Sequence, residues 1–267
     1  MAEKETKNKP KDLIEATPEE LSKIESTIDK DIESAPKRLS KAERDAQRDE
    51  ETRDRSVSSW APKTEIGRKV KSGELKKIDD ILENNKKILE PQIVDSLMRL
   101  ETDLLLIGQS KGKFGGGKRR AWRQTQKKTM EGNVTTFSCM AIVGDRNGHV
   151  GIGLGKAQET LPSRDKAIRN AKLNIIKVLR GFESQEEDKS DPHTVPFKVT
   201  GKCGSVRITL IPAPRGTGLV VGNEVKKILR LAGIRDVYSK TMGQTRTTFN
   251  LAKAVIDALT KLNDFQT

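Results

Sequence analysis

The sequence predicts a two-unit α+β fold behind a long charged tail, and three observations carry that expectation. Residues 1–59 contain no Phe, Tyr or Trp. Two β-hairpin patterns, in FSCMAIVGDRNGHVGIGLG and in VPFKVTGKCGSVRITLIP, are each followed by a helical pattern. The resulting order of hairpin, helix, hairpin, helix, strand, helix is a two-unit α+β architecture.

The composition sets the function class. The chain has 267 residues, 33% of them charged and only 3% aromatic, with a net charge of +13. Small folded units bound to something anionic fit those numbers, and nucleic acid is the leading candidate. The charge is uneven: 13 Lys and Arg against 16 Asp and Glu put residues 1–59 at −3, which leaves +16 on the remainder. Cys139 and Cys203 lie far apart, and neither has a Cys or His at metal-ligand spacing, so both read as buried thiols in a reducing compartment. No run approaches the roughly 18 apolar residues of a membrane span, and MAEKETKNKPKD lacks the apolar core of a secretory signal, so a soluble intracellular protein is expected.

Taken in chain order, residues 1–59 read as a disordered charged tail. They hold too little apolar surface to offset the entropy of ordering, and a docking arm is the functional alternative. Residues 60–110 read as a helical extension. Leu75, Ile78, Ile81 and Leu82 recur at helical spacing, and Ile93, Leu97 and Leu100 repeat the pattern after Pro91, which predicts two short helices joined by a proline turn. Such a small apolar set should pack on the main body rather than form its own core.

Residues 111–128 form a basic glycine-rich arm within QSKGKFGGGKRRAWRQTQKK. Gly112, Gly117 and Lys118 fit a phosphate-binding loop, G-x-x-x-x-G-K-[ST], in which backbone N–H groups wrap a nucleotide. Arg119 occupies the hydroxyl position, and a guanidinium cannot hold magnesium. The stretch is also too polar and glycine-rich to frame a strand or a helix. Its eight cations and lack of acids favour a flexible arm seeking another phosphate.

Residues 129–190 hold the first α+β unit. The apolar run 137–143 is a buried strand, Asn147-Gly148 is a preferred two-residue hairpin turn, and Val150, Ile152 and Leu154 then alternate with Gly151, Gly153 and Gly155. A strand with glycine on one whole face lets a backbone approach closely, either RNA or a neighbouring helix. The glycine spacing misses a dinucleotide fingerprint by one residue and lacks its acidic partner. PSRDKAIRNAKLNIIKVLRG predicts a helix from Pro162 to Gly181 that buries Ile168, Ala171, Ile175, Ile176 and Leu179. An acidic loop, ESQEEDKSD, leads to the second unit.

Residues 191–267 hold that second unit. Segments 195–200 and 206–211 read as strands joined through 201–205. A Pro/Gly turn carrying Arg215 opens onto the helix NEVKKILRLAG, where free N–H groups favour an anion. A strand IRDVYS, a turn TMGQTRTT and a helix FNLAKAVIDALTKL complete the chain. Catalysis finds no support in this inventory. His149, on the exposed side of its hairpin turn, and His193 are the only histidines, and neither stands in a nucleophile or metal arrangement.

The motifs FSCMAIVGDRNGHVGIGLGKAQE, KAIRNAKLNII, PHTVPFKVTGKCGSVRITLIPAPRGTGLVVG and LAGIRDVYSKTMGQTRTTFNLAKAVIDAL, spanning about residues 123–262, resemble the small-subunit ribosomal protein five family. WAPKTEIGRKVKSG resembles the extension of its archaeal and eukaryotic branch. The resemblance implies an N-terminal domain like double-stranded-RNA-binding domains and a second α+β domain with a helix pair against a sheet. It also implies a structural role in the small subunit that supports decoding accuracy and the passage of incoming messenger RNA. The implied partners are small-subunit ribosomal RNA, ribosomal proteins four and eight, and messenger RNA, in the cytoplasm and without a cofactor. A free-standing double-stranded-RNA-binding protein or RNA chaperone is the alternative.

Two departures from the family pattern matter. Its basic RNA-inserting loop matches residues 127–134 here, where Gly132 is kept but Met130, Asn133 and Val134 replace the usual cations. The cysteines that archaeal relatives often carry between the two domains are missing from GFESQEEDKSDPH, so no metal is expected there. The expected RNA contacts are therefore Lys118, Arg119, Arg120 and Arg123 in the arm, Lys127, Lys128 and Gly132 at the loop, Lys156 after the glycine strand, and Arg215 in the PAPRGTG turn. Trp122 is a candidate for stacking on a base, with a packed aromatic as the equal alternative.

Overall fold

One long strand organises the first half of the molecule. In a computed structural model, which describes residues 51, 53–55, 57–84, 86–110, 112, 117, 119–183 and 191–264, the elements belong to one compact unit, Arg53–Thr267. Nearly all of the expected tail, together with Lys118 and the loop 184–190, lies outside the described residues.

The extension forms three short helices where two were expected: α1 (Glu65–Lys71), α2 (Asp79–Glu83) and α3 (Pro91–Leu97). Thr64 caps α1 through the Gly67 N–H. Pro91 does not make a turn between helices. It opens α3, where its missing N–H costs nothing. Residues 101–104 leave the extension as a strand. Trp60, Ile78, Ile81, Ile88, Ile93 and Val94 form a small core that closes against Ile175 of the main body, as so small an apolar set requires. Glu90 holds its rim: Oε2 accepts the Trp60 Nε1–H at 2.7 Å, and Oε1 accepts the Lys63 and Thr64 amides at 2.9 and 2.6 Å. Burial works against the charge of this carboxyl, but the three donors outweigh it and keep its pKa below the usual range.

The first sheet contains β1 (Glu101–Leu104), β2 (Trp122–Thr129), β3 (Gly132–Gly144), β4 (His149–Ala157) and β5 (Ile175–Lys177). One edge of β3 carries β2 along residues 132–139 and β1 along 141–144; its other edge carries β4. The strand β2 corrects the expectation that this polar stretch frames no element. All eight of its residues pair with β3, and the Thr125 and Thr136 hydroxyls meet across the ribbon at 2.8 Å.

The β3–β4 turn also differs from the expected two-residue Asn-Gly type. Asp145 accepts the Asn147 and His149 amides through Oδ1, which closes a loop over Arg146, Asn147 and Gly148 with positive φ at Arg146 (60°) and Gly148 (105°).

The helix after β4, α4 (Thr160–Leu173), ends eight residues before Gly181, where the sequence pattern placed its end. Ile175 and Ile176 continue the helical periodicity but pair with Gly151 and Val150 as β5. The reason lies in the glycine face of β4. A Cβ on Gly153 would stand 2.2 Å from both Ala167 O and Ala171 N, and one on Gly155 2.1 Å from Ser163 O. Only Ser163, Ala167 and Ala171 fit against such a face, so the buried side of α4 is small rather than rich in isoleucine. The close approach read from the glycines is thus made by a helix.

The second sheet has the order β6 (Val199–Cys203), β7 (Val206–Pro212), β9 (Val237–Met242), β8 (Leu219–Val220), with β8 parallel to β9. The strand β6 runs later than expected, to Cys203, so the turn is only Gly204-Ser205. Cys203 is half-buried rather than buried. The short β8 separates the Pro/Gly turn from α5 (Asn223–Leu231), and the last helix is α6 (Thr248–Asp264). Helix α6 lies against Gly201 of β6, where a Cβ would be 2.0 Å from Ala254 O.

The second face of the first sheet shares one core with the second sheet and the α5–α6 pair. Met140, Ile142, Val150 and Ile152 meet Val225, Ile228, Leu229, Val255 and Leu259, together with Ile208 and Leu210. No described helix is long and apolar enough to cross a membrane.

Candidate nucleic-acid interface

Strand β3 is 13 residues long, and its first half pairs with β2 to form a ribbon whose side chains are mostly exposed. Cross-strand partners share a face. Arg123, Ser138 and Lys156 form one row across three strands, with Lys127 opposite Val134 farther out on the same face. Lys128 lies on the opposite face, opposite Asn133. The tip turns at Met130-Glu131. Gly132 takes φ 119° there, with open space around it, and the Thr129 hydroxyl donates to its carbonyl at 2.9 Å.

Arg123, Lys127, Lys128 and Lys156 are exposed, and among the described residues none has a carboxylate or hydrogen-bond partner. Lys172, Lys177, Lys227 and Lys261 by contrast pair with Asp95, Glu83, Asp103 and Asp257. The ribbon's charge is available to an outside anion; theirs is spent inside the fold.

The residues on either side of the arm's glycine-rich part pair with one another. Ser110 bridges to Arg119, Gly108 N donates to Arg120 O at 2.9 Å, and Arg120 N donates to Gln109 O at 3.3 Å. The chain then enters β2 rather than a helix, so the strand-to-helix frame of a nucleotide loop is not built. Arg119 and Arg120 are exposed at this neck, and Lys118 falls outside the described residues. Trp122 is 38% exposed, on the α4 side of the sheet opposite the buried Cys139.

Arg215 stands apart from these residues. It lies in the loop before β8, where its guanidinium donates to Asp191 O at 3.4 Å, rather than directly at the start of α5 as expected. Pattern reading missed Arg246, which shares a cleft with Arg119 and Arg123. Its only sequence signal is a cation in TRTT, one turn ahead of a helix.

His149 also departs from expectation, since it is half-buried rather than exposed. Its Nδ1 lies 2.6 Å from Asp145 Oδ2 and its Nε2 3.0 Å from Asp79 Oδ1, which ties α2 to the β3–β4 turn. Burial disfavours the imidazolium, but the two carboxylates outweigh it and raise the His149 pKa. Asp79 and Asp145 are held below their ordinary range: burial opposes their charge, but His149, joined by Lys177 at Asp79 and by the loop amides at Asp145, more than offsets it.

A raised histidine contributes stability fully below its unfolded pKa of about 6.5 and loses it as pH rises through the folded value; the lowered carboxylates contribute above about 4 and lose it on acidification. The clamp is therefore strongest between about pH 4 and 6.5. His149→Gln should cost about 1 kcal/mol near pH 6 and progressively less towards pH 9, read by thermal unfolding across pH. A cost independent of pH would contradict a charged imidazole.

The sequence that builds this geometry matches known proteins. Residues 121–179 match the family described as Ribosomal protein S5, N-terminal domain, and residues 201–267 match Ribosomal protein S5, C-terminal domain. The protein named small ribosomal subunit protein uS5 from Nanoarchaeum equitans is 49% identical over 210 residues, covering 78% of this chain and 90% of its own. Those of Methanocaldococcus jannaschii and Hyperthermus butylicus are 46% and 47% identical, each over 78% of this chain and over 89% and 92% of their own.

Proposed function

The chain belongs to the ribosomal protein S5 family, structural and non-enzymatic constituents of the small ribosomal subunit, and from that premise we propose that it docks on small-subunit ribosomal RNA through the β2–β3 ribbon and the neck of its basic arm. One observation carries this reading: Arg123, Lys127 and Lys128 project from the β2–β3 ribbon and Lys156 from the adjoining β4, with no internal anion among the described residues. Each phosphate they neutralise releases condensed counterions, so binding is driven electrostatically. A ribbon exposed on both faces suits insertion between RNA backbones, where shape rather than base identity is recognised. Arg119, Arg120 and Lys118 extend the contact along the arm, Gly132 provides the tight tip, and Trp122 stacks on an unpaired base. Arg215 contributes separately from the second sheet.

The wider role follows the family: support of decoding accuracy and of messenger RNA as it enters the subunit, beside ribosomal proteins four and eight, in the cytoplasm. Co-sedimentation separates this reading from a free-standing RNA-binding protein or chaperone. The chain should travel with small-subunit fractions and stay with them through a moderate salt wash. Recovery only in ribosome-free fractions would count against the docking reading.

A further inference from the structure

Between the neck of the arm and the start of α6 lies a cleft of about 440 Å³. Arg119 and Arg123 line it from the first sheet's side, and Arg246 with Thr247, Thr248 and Phe249 from the second unit. Among the described residues no acidic side chain lines it, and none of the three guanidinium groups has a hydrogen-bond or carboxylate partner. Three like charges around one opening repel one another unless an anion lies among them.

The polar groups beside them point to the same ligand. Thr247 O accepts the Leu251 amide at the first turn of the 17-residue α6, while among the described residues the Phe249 N–H has no acceptor. Ser110 and Thr247 add hydroxyl donors on two walls of the cleft. Planar guanidinium forks match the tetrahedral oxygens of phosphate, which they bind in bidentate fashion.

We propose that this cleft seats a phosphodiester of the ribosomal RNA strand, clamped jointly by Arg119 and Arg123 from one unit and Arg246 from the other. The inference rests on the RNA-docking reading and extends it to the second unit. The same phosphate would then bridge the first sheet's side of the shared core and the start of α6.

The test uses the full chain and small-subunit ribosomal RNA transcribed in vitro, with affinity measured across a salt series. Arg246→Gln should flatten the salt slope by about 0.9 log units, the loss of one phosphate contact, with unfolding temperature unchanged. Arg246→Lys should restore the slope while binding more weakly than wild type. Combining Arg119→Gln with Arg246→Gln should weaken binding by less than the product of the two separate effects, because they share a phosphate. An unchanged slope for Arg246→Gln, while Lys127→Gln with Lys128→Gln lowers it, would overturn the cleft and leave the ribbon standing. No RNA binding by the wild-type chain would remove both. Inorganic phosphate, followed by the Phe249 amide resonance, distinguishes a free-ion site. Saturation by phosphate with RNA affinity insensitive to Arg246 would assign the cleft to a free anion and overturn the RNA clamp.

Discussion

Replacing Gly153 by valine should cost about 3–5 kcal/mol and leave the first sheet unable to hold α4. The first added carbon alone would stand 2.2 Å from Ala167 O and from Ala171 N, both backbone atoms that cannot rotate away. Relief requires lifting the helix from β4, which opens Cys139, Ala141, Val143, Ala167 and Ala171 to solvent. For a folded unit of this size the loss corresponds to a fall in unfolding temperature of roughly 10 °C. Gly222→Ser is the control: nothing lies within 4 Å of a Cβ at Gly222, and the residue sits at the N-cap of α5, where serine is favoured. It should change stability by less than about 0.5 kcal/mol. A folded, equally stable Gly153→Val variant with weakened RNA binding would reassign the glycine face from helix packing to RNA.

The second large effect is electrostatic. Changing Arg123, Lys127, Lys128 and Lys156 together to glutamine should lower the salt slope of RNA binding by about 3 to 4 log units if each neutralises one phosphate. Stability should stay within about 1 kcal/mol, since none of the four has an internal ion partner among the described residues. Filter binding at several salt concentrations, alongside thermal unfolding, separates the two quantities. A preserved slope would move the interface off the ribbon.

The contrast between these variants shows what the sequence made legible. The buried elements were readable because burial leaves a pattern: the run ending at Val143, the alternation in GHVGIGLG and the periodicity of the last helix each reflect a single apolar face. The glycines of β4 announced a close backbone approach, and the fold supplies α4 as the partner. The ribbon strand β2 left no such trace. With both faces in solvent it has no apolar alternation, and only its pairing with β3 defines it. Ile175 and Ile176 misled for the opposite reason, since their helical spacing is real but a strand edge claims them.

Of the candidate site, the cations were legible as a composition and not as a surface. Arg123 and Lys156, 33 positions apart in sequence, become neighbours in one row only through the β2–β3–β4 register. Arg246 shares a cleft with Arg119 only because α6 begins beside the neck of the arm. His149 looked like a turn residue because its second carboxylate partner, Asp79, lies 70 positions upstream. Tertiary placement decided each case, and residue spacing does not encode it.

A cryo-electron-microscopy map of the small subunit containing this chain would show whether the ribbon seats it on ribosomal RNA. Density for the β2–β3 ribbon should lie between RNA backbones, with Arg123, Lys127, Lys128 and the neighbouring Lys156 in ion-pairing contact with phosphates. A ribbon facing solvent, or packed only against protein, would contradict it.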